Sequence, residues 1–289
     1  DTGTAPANRL LPVAAGEVVL GKAFNDALYG WDNEYGRHRA QVPAFEAAQY
    51  LVSNQEYLGF VEAGGYREDR YWSEEGLNWR NYARAEHPIF WQRSGSDWQL
   101  RLLTEVVAMP WDWPAEVNCL EAQAFCRWKG EQLGRPLRLP GEDEWQRLYA
   151  VSGAREVADD AAADSNRHLD HYASSCPVTR FRHGDFFDVT GNVWQWTDTP
   201  TYPFDGFDVH PIYDDFTTPT FDNRHNLLMG GSWISCGNET RRSARYAFRR
   251  HFFQHAGFRY VVSETPMTQT SAYYETDKQL SEYAEFHYG

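Results

Sequence analysis

Long apolar runs are missing from this 289-residue chain. No stretch approaches the roughly 18–20 residues that a membrane-spanning helix needs, so no membrane role is expected. Basic residues are also in short supply: 27 Lys and Arg stand against 41 Asp and Glu, a formal charge of −14. Only Arg241-Arg242 and Arg249-Arg250 are paired cations. Neutralisation of phosphate is the main source of nucleic-acid affinity, so nucleic acid is not an expected partner. Cysteine is limited to four residues without regular spacing, Cys119, Cys126, Cys176 and Cys236. On one helix Cys119 and Cys126 would lie about 10 Å apart along the axis, too far for a disulfide. Buried free thiols in a reducing compartment, with a cytoplasmic location, are the expectation. The first residues, Asp1-Thr2-Gly3-Thr4-Ala5-Pro6, show neither an initiator Met nor a charged-then-apolar leader. That start suggests a processed chain or a piece of a longer one.

Aromatic residues are abundant, at 16% with 12 Trp, and they bury large area per side chain. A domain with little regular structure can be held by such packing. Three strings punctuate the second half: Gly191-Asn192-Val193-Trp194-Gln195-Trp196-Thr197-Asp198, Gly230-Gly231-Ser232-Trp233 and Gly257-Phe258-Arg259-Tyr260. Glycine beside tryptophan marks close backbone approaches or positive φ next to a large apolar plug. Strands are expected from Pro12 to Gly21 and from Arg39 to Ala48. Ser53 with Glu56 at the third position predicts a helix that stops at Gly64-Gly65. Asn118 with Glu121 predicts another, with Leu120, Ala124, Phe125 and Trp128 inward and an end at Gly130. A third starts after Arg138 and includes Trp145, Leu148 and Tyr149. Residues 71–113 read as irregular, 153–170 as a surface insertion, and 178–262 as short strands joined by long loops. Residues 271–286 read as an amphipathic helix outside that pattern. The division expected is a domain over 1–265 and a linker over 266–289.

Four segments in order, residues 52–60, 114–145, 191–198 and 230–260, resemble the formylglycine-generating-enzyme (sulfatase-modifying-factor) superfamily. That resemblance implies an α+β, C-type-lectin-like fold with little regular secondary structure. Formylglycine-generating enzymes carry two catalytic cysteines just after Gly-Gly-Ser. Here those positions are Ser235 and Thr240, and Cys236 stands alone, so a paired-thiolate copper site is not expected. Three further strings, residues 31–36, 206–216 and 246–260, resemble the sulfoxide synthases of thiol-histidine biosynthesis, and the ovothiol branch more than the ergothioneine branch. The tail from Tyr274 to Gly289 resembles the joint to that branch's methyltransferase. The resemblance implies an enzyme that uses Fe(II), L-histidine, L-cysteine and O₂ to form 5-histidylcysteine sulfoxide. It places the iron ligands on an N-terminal helical domain and an S-adenosylmethionine-dependent methyltransferase on the C-terminal side. This chain would then supply a pocket wall and a catalytic tyrosine, and would be inactive alone. A stand-alone lectin-like binding module and an ergothioneine-type domain, which would prefer a trimethylated histidine, are the alternatives.

Tyr213 sits where the ergothioneine branch carries its proton-donating tyrosine, and a phenol keeps its proton at neutral pH; the other reading is a packed loop anchor. Among Arg245, Arg249 and Arg250, the resemblance points to Arg249, with Arg245 beside it, as a clamp for a substrate carboxylate. Structural ion pairs are the alternative. Trp233 and Phe248 are candidate pocket walls, or core. In related domains the loop Asp188-Val-Thr-Gly191-Asn-Val193-Trp-Gln195 binds calcium, but Gln195 supplies only a neutral oxygen, so a weak Ca²⁺ site or none is expected. His251 and His255 have metal-ligand spacing, but their strand-like context favours core or hydrogen-bonded roles. His168 and His171 read as a solvated pair.

Overall fold

The computed structural model describes residues 3–155 and 164–263. Four helices occur among them: α1 (Asn54–Glu62), α2 (Glu74–Ala83), α3 (Cys119–Leu133) and α4 (Glu142–Ser152). Around them lie many short strands, the mixed α+β pattern with little regular structure that the sequence implies. No described helix is long and apolar enough to cross a membrane.

The caps explain most of the helix boundaries. At α3 the Asn118 side chain accepts the Glu121 N–H and the Glu121 carboxylate accepts the Asn118 N–H, both at 2.9 Å. This closes a capping box over two otherwise unpaired donors. The helix does not stop at Gly130 as expected but runs to Leu133, and Gly134 ends it in the left-handed conformation (φ 63°). Gly130 serves instead a close approach, because a Cβ there would lie 2.8 Å from the Arg135 carbonyl oxygen. At α1 only half of the box forms: Ser53 accepts the Glu56 N–H. The Glu56 carboxylate is diverted to the Tyr260 hydroxyl at 2.9 Å and to Lys129 at 3.1 Å. The stretch expected to be irregular contains α2, capped by Ser73, and a three-stranded sheet of Trp91–Ser94, Asp97–Arg101 and Val106–Ala108. Each strand expected in the first 48 residues divides in two. Leu10–Val13 pairs with Phe45–Ala48, while Gly16–Leu20 pairs with His38–Val42.

Two four-stranded sheets organise the rest. One runs Leu10–Val13, Phe45–Ala48, Val261–Val262, Leu137–Arg138. The other runs Tyr246–Arg249, His225–Met229, Trp194–Pro200, Ala256–Gly257 and carries the candidate site residues on its strands and connections. The larger core joins α1 and α3 to Trp91, Trp196 and Phe258, and the smaller packs α4 through Trp145 against Leu227 and Met229.

The insertion is only partly on the surface. Residues 156–163 lie outside the described residues, but Ser165, Asn166 and Arg167 are buried, and the Asn166 carbonyl accepts the Asn192 N–H at 2.7 Å. The end of the insertion therefore plugs the glycine loop. The expected linker over 266–289 and its helix also lie outside the described residues. All four cysteines are free; Cys119, Cys126 and Cys176 are buried and Cys236 is exposed. Burial pushes the three buried thiols up, away from reactivity.

Candidate functional site

Tyr213 lies on an exposed loop over a fixed aromatic base. Residues 211–215 are all exposed, with Tyr213 at 48% and Ile212 at 89%. Beneath them, Trp31 stacks on Phe216 at 4.3 Å between ring centres and meets Tyr213 edge-on at 6.0 Å. His210 completes the base. Its ring lies 5.8 Å from Trp31, and its Nε2 is 3.3 Å from the Tyr29 hydroxyl. Its Nδ1 accepts the backbone N–H groups of Ile212 (3.2 Å) and Tyr213 (3.1 Å). Those two bonds place the ring proton on Nε2, facing Tyr29. Phe24, Leu28 and Tyr29 are exposed on the adjoining turn, so the face is an aromatic shelf open to solvent.

The four substrate-contact candidates separate. Arg245 is buried, and its guanidinium is fully engaged: two bonds to Glu142 at 2.7 and 3.1 Å, one to the Asn33 carbonyl at 2.7 Å, one to that of Tyr202 at 3.1 Å. The ring of Phe204 covers it at 3.9 Å. This is the structural ion pair held open as the alternative. Arg249 is exposed and meets Asp222 at 3.7 Å, where the segment carrying Tyr213 returns into the strand His225–Met229. Phe248 points to the opposite face of its strand, by the two-residue alternation, and stacks on Phe252 at 4.0 Å. Trp233 is buried and packs edge-on against His255 at 4.8 Å. Ser235 and Thr240 are buried hydroxyls bonded within their own turn: Ser235 to Ser232, Thr240 to the Gly237 carbonyl.

The candidate calcium loop is built as an amide bridge. Gln195 Nε2 donates to the carbonyls of Asp188 (3.1 Å) and Val189 (2.9 Å). The buried Arg259 donates to the carbonyls of Phe187 and Asp188. Gly191 turns the loop with φ 75° and Val193 is fully buried. Only one carboxylate, Asp188, is present; burial pushes its pKa well up, against the Asn192 side-chain bond and the Arg259 charge. The donors occupy backbone carbonyls, those of Phe187, Asp188 and Val189, while Asp188 Oδ1 and Gln195 Oε1 are buried with no hydrogen-bond partner among the described residues. One carboxylate and one neutral amide oxygen make a poor donor set for Ca²⁺.

Among the described residues no group of three or more His, Cys, Asp and Glu could hold a metal ion. His251 is exposed, and His255 sits off any helix with φ 53°. His168 is half-buried and not solvated as expected, whereas His171 is exposed. Behind His255, Glu116 accepts the Ser175 hydroxyl and the His255 N–H, both at 3.2 Å. Burial pushes the Glu116 carboxyl up to about 7, against those two bonds. Its native form thus holds a proton that the unfolded chain releases near pH 4.5, and stability falls as pH rises from about 4.5 to 7. Replacing Glu116 with Gln removes this penalty. Relative to wild type, the variant should gain about 1–3 kcal/mol between pH 5 and pH 8 in denaturant unfolding; a pH-independent difference would contradict the assignment.

Sequence reasoning singled out Tyr213 but passed over His210, whose ring holds the Ile212 and Tyr213 N–H groups, and Asp32, whose carboxylate accepts the His210 N–H and the Thr217 hydroxyl. The matching string Trp31-Asp32-Asn33-Glu34 was the available signal. Residues 2–264 match the sulfatase-modifying factor enzyme 1-like domain. The chain is 33% identical to a hercynine oxygenase of Mycobacterium tuberculosis over 74% of its length and 51% of that protein. It is 30% identical to the hercynine oxygenase of Mycolicibacterium smegmatis over 87% and 60%. It thus spans about half to three-fifths of these relatives. Among solved structures, Treponema denticola variable protein 1 superposes with a TM-score of 0.59 at 16% identity, covering 89% of this chain and 99% of that one, which shows the fold.

Proposed function

Because the chain belongs to the sulfatase-modifying factor enzyme 1-like family, we propose that it is the substrate-facing domain of an Fe(II)- and O₂-dependent sulfoxide synthase. The reaction is C–S bond formation between L-cysteine and the imidazole of L-histidine, giving 5-histidylcysteine sulfoxide on the way to ovothiol. The observation that carries this reading is the open aromatic shelf under Tyr213. A soluble domain normally covers such a face, and the relatives are long enough to include a domain that would do so. In this reading an N-terminal helical domain holds the iron and packs over the shelf, while a C-terminal methyltransferase uses S-adenosylmethionine. No group of three or more His, Cys, Asp and Glu among the described residues could hold a metal ion, and in this reading the domain contributes binding, shape and a proton. Tyr213 holds that proton on its phenol oxygen, backed by Trp31 and His210. The relatives' names make a stand-alone binding module the weaker reading.

Arg249 binds the amino-acid carboxylate by exchanging its half-buried Asp222 partner for it. Arg249→Ala should raise KM for one amino-acid substrate about tenfold or more while kcat is largely kept. Its thermal stability should stay within about 0.5 kcal/mol of wild type. If every KM is unchanged, the guanidinium serves Asp222 alone.

The relatives' names favour a second acceptor, hercynine, a trimethylated histidine. The rings of Trp31, Tyr29, Tyr213 and Phe216 suit a quaternary ammonium. A competition assay on the full-length protein decides between them. With equal L-histidine and hercynine, L-cysteine, Fe(II) and O₂, the product mass should be that of the unmethylated sulfoxide. A product retaining three N-methyl groups would assign the domain to the ergothioneine type.

A further inference from the structure

We propose that Asp32 is the positioning residue for Tyr213, an inference that rests on the catalytic reading of that phenol. The turn bearing Asp32 is rigid. Asp32, Asn33 and Glu34 are buried. Asn33 Nδ2 donates to the Arg245 carbonyl at 2.8 Å, and the Arg245 guanidinium returns a bond to the Asn33 carbonyl. Glu34 accepts the Trp31 N–H at 3.0 Å and the Ser243 hydroxyl at 3.1 Å. The loop over Tyr213 is the opposite, exposed from 211 to 215 and outside any helix or strand.

Both ends of that loop meet on the one Asp32 carboxylate. The His210 N–H donates to Oδ2 at 3.2 Å, and the Thr217 hydroxyl donates to Oδ1. Oδ1 also accepts the Asn33 N–H at 2.8 Å. Between the two ends, His210 Nδ1 gathers the N–H groups of Ile212 and Tyr213. The carboxylate thus fixes His210, His210 fixes the Tyr213 backbone, and Trp31, next to Asp32 in the chain, supports the ring. Two acceptor oxygens are required. An asparagine at this position has one, and either orientation of its amide sets an NH₂ against a backbone N–H, that of His210 or that of Asn33. A buried donor facing a donor is costly, so the loop should detach.

The test uses the full-length protein. In Asp32→Asn, amide hydrogen exchange of residues 210–217 should quicken about tenfold or more while α3 and α4 keep their wild-type protection. Thr217→Val leaves Asp32 in place and deletes one donor, so a smaller acceleration confined to the same residues is expected. Sulfoxide formation gives the second readout. Asp32→Asn should lower kcat about tenfold with KM little changed, and should cost nothing further in a Tyr213→Phe background. Unchanged exchange at 210–217 in both variants, or an equal kcat loss in both backgrounds, would overturn the proposal. If Tyr213→Phe itself retains wild-type kcat, the catalytic reading of Tyr213 fails. Exchange then still decides the role of Asp32, acceleration supporting it and wild-type protection refuting it.

Discussion

Tyr213→Phe in the full-length protein should lower the rate of sulfoxide formation by about 10²–10⁴-fold, the range for loss of a positioned proton donor. The change removes one oxygen from a ring that is 48% exposed. It leaves the edge-on contact with Trp31 at 6.0 Å and the ring of Phe216 at 5.4 Å, and the His210 bond to the backbone N–H does not involve the side chain. Stability should therefore stay within about 0.5 kcal/mol of wild type, and KM for both amino acids should hold. Steady-state kinetics beside a thermal melt separates the two readings of this residue. A loop anchor would lose nothing when only the hydroxyl is deleted, so an unchanged kcat returns Tyr213 to packing.

Arg245→Ala should have the opposite signature, a loss of stability with no specific change in KM. Removing the guanidinium leaves Glu142 buried without its cation and strips donors from the Asn33 and Tyr202 carbonyls. Breaking a buried pair by removing one partner costs about 3–5 kcal/mol, which for a domain of this size lowers Tm by on the order of 10 °C. Arg245→Lys should recover only part of this, because one ammonium cannot span a carboxylate and two carbonyls as a planar fork does. Denaturant unfolding measures the loss. A stable Arg245→Ala with a raised KM would restore the substrate-clamp reading of this residue.

What the sequence disclosed and what it hid follow one physical division. Asn118 and Glu121 announce α3 because capping is local, settled within four residues. The helix α2 went unseen although Ser73, Glu74 and Glu75 are a fair N-terminus, since it buries little more than Gly76 and Arg80 and shows no apolar stripe. Gly130 misled for the same reason in reverse: its neighbour is the backbone after the helix, which no periodicity records. At the site, Tyr213 was legible through the string that surrounds it. Asp32 carried no such signal of its own, because its partner Thr217 lies 185 residues away. Arg245 could not be told from Arg249 without Glu142, 103 residues distant. One is locked in the core just before the strand Tyr246–Arg249, while the other reaches solvent at its far end.

The central claim, that this domain walls an iron site held by the rest of a longer enzyme, is tested most directly by intact mass and metal content of the natively expressed protein. The account expects a mass far above the 33.4 kDa of this chain and about one iron per polypeptide, bound by His and carboxylate ligands outside the shelf domain. A mass near 33.4 kDa without iron would contradict it and leave a ligand-binding module in its place.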